Sequence, residues 1–126
     1  MEFKTLVLGA SLNSDRYSFK AVKKLSEHHI ETVAYGLKSG EINGVEIDTT
    51  LVAYDDIHTI TLYLNPSRQK EFYDFILFLK PKRVIFNPGT ENPELQAILK
   101  ENDIAFEEAC TLVMLSIGNY KIMPTA

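Results

Sequence analysis

Within the first twenty positions the residues that could do chemistry are of one kind. Gly9 closes the apolar run Thr5-Leu6-Val7-Leu8, and Ser11, Asn13, Ser14, Arg16, Tyr17 and Ser18 then crowd a single loop with hydrogen-bond donors. A glycine at a strand end permits a sharp turn and a close backbone approach to a ligand. A helix opening near Ser18 would offer free N–H groups and the positive end of its dipole, an arrangement suited to phosphate. Two common phosphate motifs are nevertheless missing. The dinucleotide fingerprint G-x-G-x-x-G needs glycines at 9, 11 and 14, where this chain has Ser11 and Ser14, and no G-K-[ST] occurs for a P-loop. The residues therefore predict a nucleotide-type binding loop of another pattern. On this reading Gly9→Val abolishes ligand binding while the fold survives.

The elements that must position this loop alternate between apolar strands and amphipathic helices, the pattern of a parallel sheet covered on both faces. Strands are expected near Lys4–Leu8, Glu31–Tyr35, Val45–Ile47, Thr59–Leu64, Arg83–Phe86 and Phe106–Glu108. Helices are expected from Ser18 to His28, from Asn65-Pro66 onward with Phe72, Phe75, Ile76 and Leu79 on one face, from Asn92-Pro93 to Glu101, and from Cys110 to Leu115. Each Asn-Pro pair supplies an N-cap and a proline at the first helical position. Gly40 and Asn43-Gly44 read as turns, and Lys121–Ala126 as a fraying end. Right-handed crossovers then favour a Rossmann-like doubly wound α/β sheet of about five strands in the order 3-2-1-4-5. In such sheets ligands bind outside the carboxyl ends of the strands, where the order reverses. The loops Gly9–Ser18 and Leu64–Ser67 meet at that point, with Asn87–Thr90 one strand further along.

The second strand narrows the ligand. A sheet of this kind that binds NAD places an acid after its second strand for the ribose hydroxyls; here that stretch is Tyr35-Gly36-Leu37-Lys38. A lysine without an acid fits a ribose that carries a phosphate, as in NADP or coenzyme A, although a solvated surface lysine is the plain alternative for Lys38. The missing second and third glycines weigh against NADP, whose pyrophosphate lies directly over that turn.

Composition sets the outer bounds. The chain has 126 residues, expected as one domain over 1–126, with 13 basic and 17 acidic side chains for a net charge of −4. That balance argues against generic nucleic-acid binding. No apolar run is long enough for a transmembrane helix, and no signal peptide is predicted. The one cysteine, Cys110, leaves no internal disulfide and fits a cytoplasmic location.

The blocks GASLNSDRYS, YGLKSGEI, TLYLNPSRQ, RVIFNPGTENPEL and EACTLVMLSIGNY, spread over nearly the whole chain, resemble the CoA-binding domain family in its small single-domain bacterial and archaeal branch. That family's domain is similar to the CoA-binding half of the succinyl-CoA synthetase α subunit. The resemblance implies that Gly9, Ala10, Ser11, Arg16, Tyr17 and Ser18 cradle the pyrophosphate. It implies that Tyr35, Gly36 and Lys38 lie near the adenosine and its 3′-phosphate. Leu64, Asn65 and Pro66 would flank the ligand on the other side, with Asn87, Pro88 and Gly89 along the pantetheine path. The second domain of the synthetases, with its phosphorylated histidine, has no counterpart in this chain.

The remaining candidates have bland explanations. Cys110 opens a helix whose dipole could favour a thiolate, and as such it could join the CoA thiol or accept an acyl group. No histidine lies nearby in sequence as a base, and free cysteines are commonly buried, so a structural Cys110 is preferred. Tyr17 is placed to pack its ring on a ligand. Glu107 and Glu108 point to opposite strand faces and read as a solvated edge. His28 and His29 suit a helix end, and His58 stands alone before a strand. The expected function is therefore non-catalytic: binding of coenzyme A or a short acyl-CoA as a carrier, sensor or regulatory module, with no metal. The alternatives are a small NADP-dependent or acyl-CoA-processing enzyme using Cys110, and an interaction protein without a ligand. The expected partner is a small CoA ligand, with no nucleic acid and no membrane; another protein or a second copy of the chain is also compatible.

Overall fold

The structure, a computed structural model, describes residues 2–124. Strands β1 (Thr5–Ala10), β2 (Thr32–Gly36), β3 (Gly40–Ile42), β4 (Val45–Asp48), β5 (Thr59–Leu62), β6 (Arg83–Phe86) and β7 (Ala105–Glu108) form one sheet in the order β3-β4-β2-β1-β5-β6-β7. Every neighbouring pair is parallel except β3 and β4. Helices α1 (Tyr17–Glu27), α2 (Pro66–Gln69), α3 (Tyr73–Leu79), α4 (Pro93–Glu101) and α5 (Thr111–Ile117) connect or follow the strands, and a 3₁₀ turn over Lys70–Phe72 joins α2 to α3.

The Rossmann-like winding is as expected, but the count of about five strands is corrected to seven. The run β4-β2-β1-β5-β6 reproduces the expected 3-2-1-4-5, and the sheet extends beyond it at both edges. On one side Asn43 (φ 49°) and Gly44 (φ 84°) make the two-residue turn that folds β3 back onto β4. Left-handed conformation at both central residues is what such a hairpin requires. Gly40, which reads as a turn in the sequence, is instead a strand residue paired with Ile47. On the other side β7 adds to β6 in parallel, with Ile85 opposite Glu107.

Alternation along the strands divides the core in two. Leu6, Leu8, Ile60, Leu62, Val84 and Phe86 face Phe72, Ile76, Leu95 and Leu99 on the α3–α4 side. Val7, Ala34, Ile47 and Ile85 face Val22 and Leu25 of α1 and Met114 and Leu115 of α5. Both Asn-Pro starts form as expected: Asn65 Oδ1 accepts the Arg68 N–H at 3.0 Å, and Asn92 Oδ1 accepts the Leu95 N–H at 3.3 Å.

At the amino ends of the strands, Thr5, Thr59 and Arg83 lie side by side in register. Arg83 is fully buried, donates to Thr59 Oγ1 at 3.1 Å and to the Tyr120 carbonyl at 2.8 Å, and stacks on the Tyr120 ring at 4.6 Å. The Tyr120 hydroxyl in turn meets Thr5 Oγ1 at 2.5 Å. The chain after α5 is thus tied to the base of the sheet as far as Ile122, whose carbonyl also faces Arg83; of the expected fraying end, Thr125 and Ala126 lie outside the described residues. Glu107 is not the solvated carboxylate expected. Its Oε2 is buried 3.6 Å from Arg83 Nη1, while Glu108 remains exposed and accepts from Gln96.

Candidate functional site

β1 ends in a bulge. Its register with β2 shifts between Leu8 and Ala10, and the residue at the shift is Gly9, with φ +104°. A Cβ at Gly9 would stand 2.9 Å from the Tyr63 carbonyl oxygen and 3.0 Å from Leu64 Cδ2. The end of β5 and its following residues therefore demand glycine here, before any ligand is considered. This corrects the expectation that Gly9→Val would spare the fold: the substitution is strained by backbone conformation and by packing together.

From the bulge the chain turns through a loop held by its own polar groups. Ser11 Oγ accepts the Asn13 N–H at 3.1 Å, and Asn13 Oδ1 accepts the Asp15 N–H at 3.0 Å. The loop delivers α1 with Arg16 at the N-cap, extended and without a side-chain cap. Asn65 and Asn92 satisfy first-turn N–H groups of α2 and α4, whereas α1 leaves its first turn open toward the loop.

Two adjoining cavities occupy the carboxyl ends of the strands. The larger, about 570 Å³, is lined by Gly9, Ala10, Ser11, Leu12, Asn13, Arg16 and Ser18, by Tyr35, Gly36, Leu37 and Lys38, and by Leu64 and Arg68. The smaller, about 240 Å³, shares Arg16, Ser18 and Leu64 with it and adds Tyr17, Tyr63, Asn65, Pro88, Gly89 and Thr90. Arg16, Lys38 and Arg68 put three cations on these walls. Neither cavity has an aspartate, glutamate, histidine or cysteine among its lining residues. An acidic chain has gathered an all-basic cleft at its switch point, and the physical consequence is attraction of an anion.

All the residues expected at the site line one cavity or the other except Pro66 and Asn87. Pro66 starts α2 behind Asn65. Asn87 lies beneath the cleft as a brace, only 2% exposed, with its amide making three hydrogen bonds to the protein. Its Nδ2 donates to Thr61 Oγ1 at 2.6 Å and to the Leu62 carbonyl at 2.9 Å, and its Oδ1 accepts the Thr111 N–H at 2.9 Å. A side chain so occupied holds β5, β6 and α5 together and has both of its donor hydrogens committed away from a ligand. Tyr17 keeps its ring exposed at the smaller cavity, with Lys20 Nζ 5.5 Å from the ring centre.

Several lining residues were not foreseen. Arg68 belongs to a helix start whose cap was legible, but nothing in its local spacing says that the side chain borders a cleft with Lys38. Leu12 and Leu37 are apolar and carry no chemical signal. Tyr63 is the penultimate residue of the TITLYL run, and burial pushes its hydroxyl pKa up. Cys110 occupies the N-cap of α5 and borders neither cavity. Among the described residues no group of three or more His, Cys, Asp or Glu could hold a metal ion, and no helix is long and apolar enough to cross a membrane.

A doubly wound, mostly parallel sheet with a basic, glycine-edged cleft at its switch point defines a Rossmann-like α/β protein. The chain belongs to the CoA-binding domain family, whose model matches residues 4–116, nearly the whole sequence. The crystal structure of an uncharacterized protein, 48% identical, matches with a TM-score of 0.91 over 95% of this chain and 99% of that one. A protein from Thermus thermophilus (22% identity, TM-score 0.81, 94% of this chain and 91% of that one) has the same fold. So does a hypothetical protein from Pyrococcus horikoshii (21%, 0.77, 90% and 82%). No curated protein matches.

Proposed function

We propose that this protein binds coenzyme A, free or with a short acyl group, as a non-catalytic carrier, sensor or regulatory module acting in the cytoplasm as one domain. The observation that carries the reading is the cleft at the switch point, with Arg16, Lys38 and Arg68 on its walls and no acid among them. Coenzyme A brings a pyrophosphate and a ribose 3′-phosphate, and a cleft of one sign of charge concentrates such a ligand. The donor set fits that group. The loop Ala10–Ser18 and the open first turn of α1 would hold the pyrophosphate, and Lys38 after β2 would meet the ribose phosphate. The smaller cavity, continuous through Arg16, Ser18 and Leu64, would take the pantetheine arm past Tyr17, Asn65, Pro88 and Gly89.

The walls favour binding over turnover. A hydroxyl becomes a nucleophile when an adjacent base activates it, and the residues lining the two cavities include no histidine, aspartate, glutamate or cysteine to do so. The test is a thermal-denaturation series with the intact protein. Coenzyme A should raise the melting temperature by mass action on the folded state, while NAD, NADP and ATP at equal concentration should do little. A shift with NADP and none with CoA would replace this reading with the dehydrogenase-like one. Indifference to every nucleotide at millimolar concentration would replace it with a protein that binds other macromolecules.

A further inference from the structure

Gly40 has no conformational reason to be glycine. It is the first residue of the edge strand β3 and has no left-handed φ. What fills the space a side chain would take is Leu12. A Cβ at Gly40 would stand 2.6 Å from both Cδ atoms of Leu12 and 3.0 Å from its Cγ. The edge hairpin thus gives up a side chain so that a leucine from the loop after β1 can be seated on its backbone. Yet Leu12 is 42% exposed and borders the larger cavity, together with Leu37, which is 71% exposed. Two large apolar side chains left in water on the walls of one cleft are placed to lose that water against a flat apolar group.

From this contact we infer that Leu12, held in place by Gly40, is the specificity-determining wall for the purine base of the ligand, with Leu37 as its second apolar surface. The inference rests on the CoA reading and deepens it, by naming the side chain that discriminates the base and the glycine that seats it. In doubly wound sheets the nucleoside lies toward the second strand and the phosphates over the first turn. The cavity on that side is the one with Leu12 and Leu37, whereas the smaller cavity, beside β5 and β6, has neither. Phosphate contacts by Arg16 and Lys38 hold any phosphorylated ligand; an apolar surface at the base is what distinguishes a nucleotide from a phosphorylated chain without one.

Because the atoms crowded at Gly40 are the far end of a flexible side chain, Gly40→Ala should leave the hairpin folded and push Leu12 out of its seat. Calorimetry is the test, with three probes: coenzyme A, adenosine 3′,5′-bisphosphate, and 4′-phosphopantetheine, which has no base. Gly40→Ala and Leu12→Ala should each weaken the two adenine-containing probes by about tenfold, the scale expected for losing a leucine's worth of apolar contact, and leave 4′-phosphopantetheine unchanged. The double variant should bind no more weakly than Leu12→Ala alone, since the alanine at 40 then has no leucine to displace. If the wild-type chain binds CoA and Gly40→Ala binds it equally well, the inference is overturned and the CoA reading stands. An equal loss for all three probes also overturns it, since the effect would then not concern the base. If the wild-type chain does not bind CoA at all, both fall together.

Discussion

Gly36, the last residue of β2, lies against the backbone of Ala10, the last residue of β1: a Cβ on Gly36 would stand 2.2 Å from the Ala10 carbonyl oxygen. At the carboxyl end of β2 the Ala10 carbonyl therefore occupies the place that a side chain at position 36 would take. Gly36→Ala should destabilise the fold by about 1–3 kcal/mol or more, because the clash is with backbone that cannot rotate away. Gly9→Val should do at least as much, for the reasons of φ and packing given above. Urea denaturation followed by circular dichroism measures both; a midpoint equal to wild type for Gly36→Ala would show that β1 and β2 can separate there.

The charge at Lys38 should be legible in ligand preference. If Lys38 pairs with the ribose 3′-phosphate, CoA should bind at least about tenfold tighter than dephospho-CoA, matching a charge-assisted hydrogen bond of about 1.5–3 kcal/mol. Lys38→Ala should erase the difference. Arg68→Ala should weaken both ligands, with a loss that shrinks as salt rises. Equal affinities of the wild type for CoA and dephospho-CoA would leave that phosphate in solvent.

Asn87 should matter to the fold more than to the ligand. Asn87→Ala leaves the Leu62 carbonyl and the Thr111 N–H without that partner and leaves Thr61 Oγ1 only its bond to Thr111 Oγ1, and an abandoned buried polar group costs about 1–3 kcal/mol. The expected result is a lower unfolding free energy with CoA affinity of the folded protein within a factor of a few. A large affinity loss at unchanged stability would make Asn87 a ligand contact after all.

His58 gives the fold an acid sensitivity. It is 3% exposed, shares a hydrogen bond with Thr59 Oγ1 through Nδ1, stacks with Phe3, and has no partner at Nε2 among the described residues. Burial, then the charges of Arg83 and Lys82, lower its pKa to about 4. An unfolded histidine titrates near 6.5. Between those values the unfolded chain binds the extra proton, so this contribution to stability is whole above about pH 6.5 and is lost as the pH falls toward 4. The slope approaches about 1.4 kcal/mol per pH unit in that window. Melting temperature against pH should flatten there in His58→Leu; an unchanged slope would assign the acid sensitivity to other groups.

The sequence by itself determined the winding, the helix starts and the place of the cleft. Its apolar runs record burial on two sheet faces, and the two Asn-Pro pairs close hydrogen bonds three residues away, so both are readable from local order. The switch point follows from winding, which is why Arg16, Lys38 and the loops around Gly9, Leu64 and Gly89 could be brought together before any coordinates. Tertiary structure alone decided the β3 edge of the sheet, because β3 is three residues long and owes its existence to pairing with β4, whereas the strand at the other edge, β7, was expected. It alone decided that the buried Arg83 faces the partly exposed Glu107 and that Asn87 is a brace. Their partners stand 24 or more residues away along the chain, at distances that periodicity does not encode. It also decided what three glycines are for. Gly9, Gly36 and Gly40 look alike in sequence, yet they yield to the Tyr63 carbonyl, the Ala10 carbonyl and the Leu12 side chain respectively. A missing Cβ states only that space is needed; which neighbour fills it is settled when the strands pack.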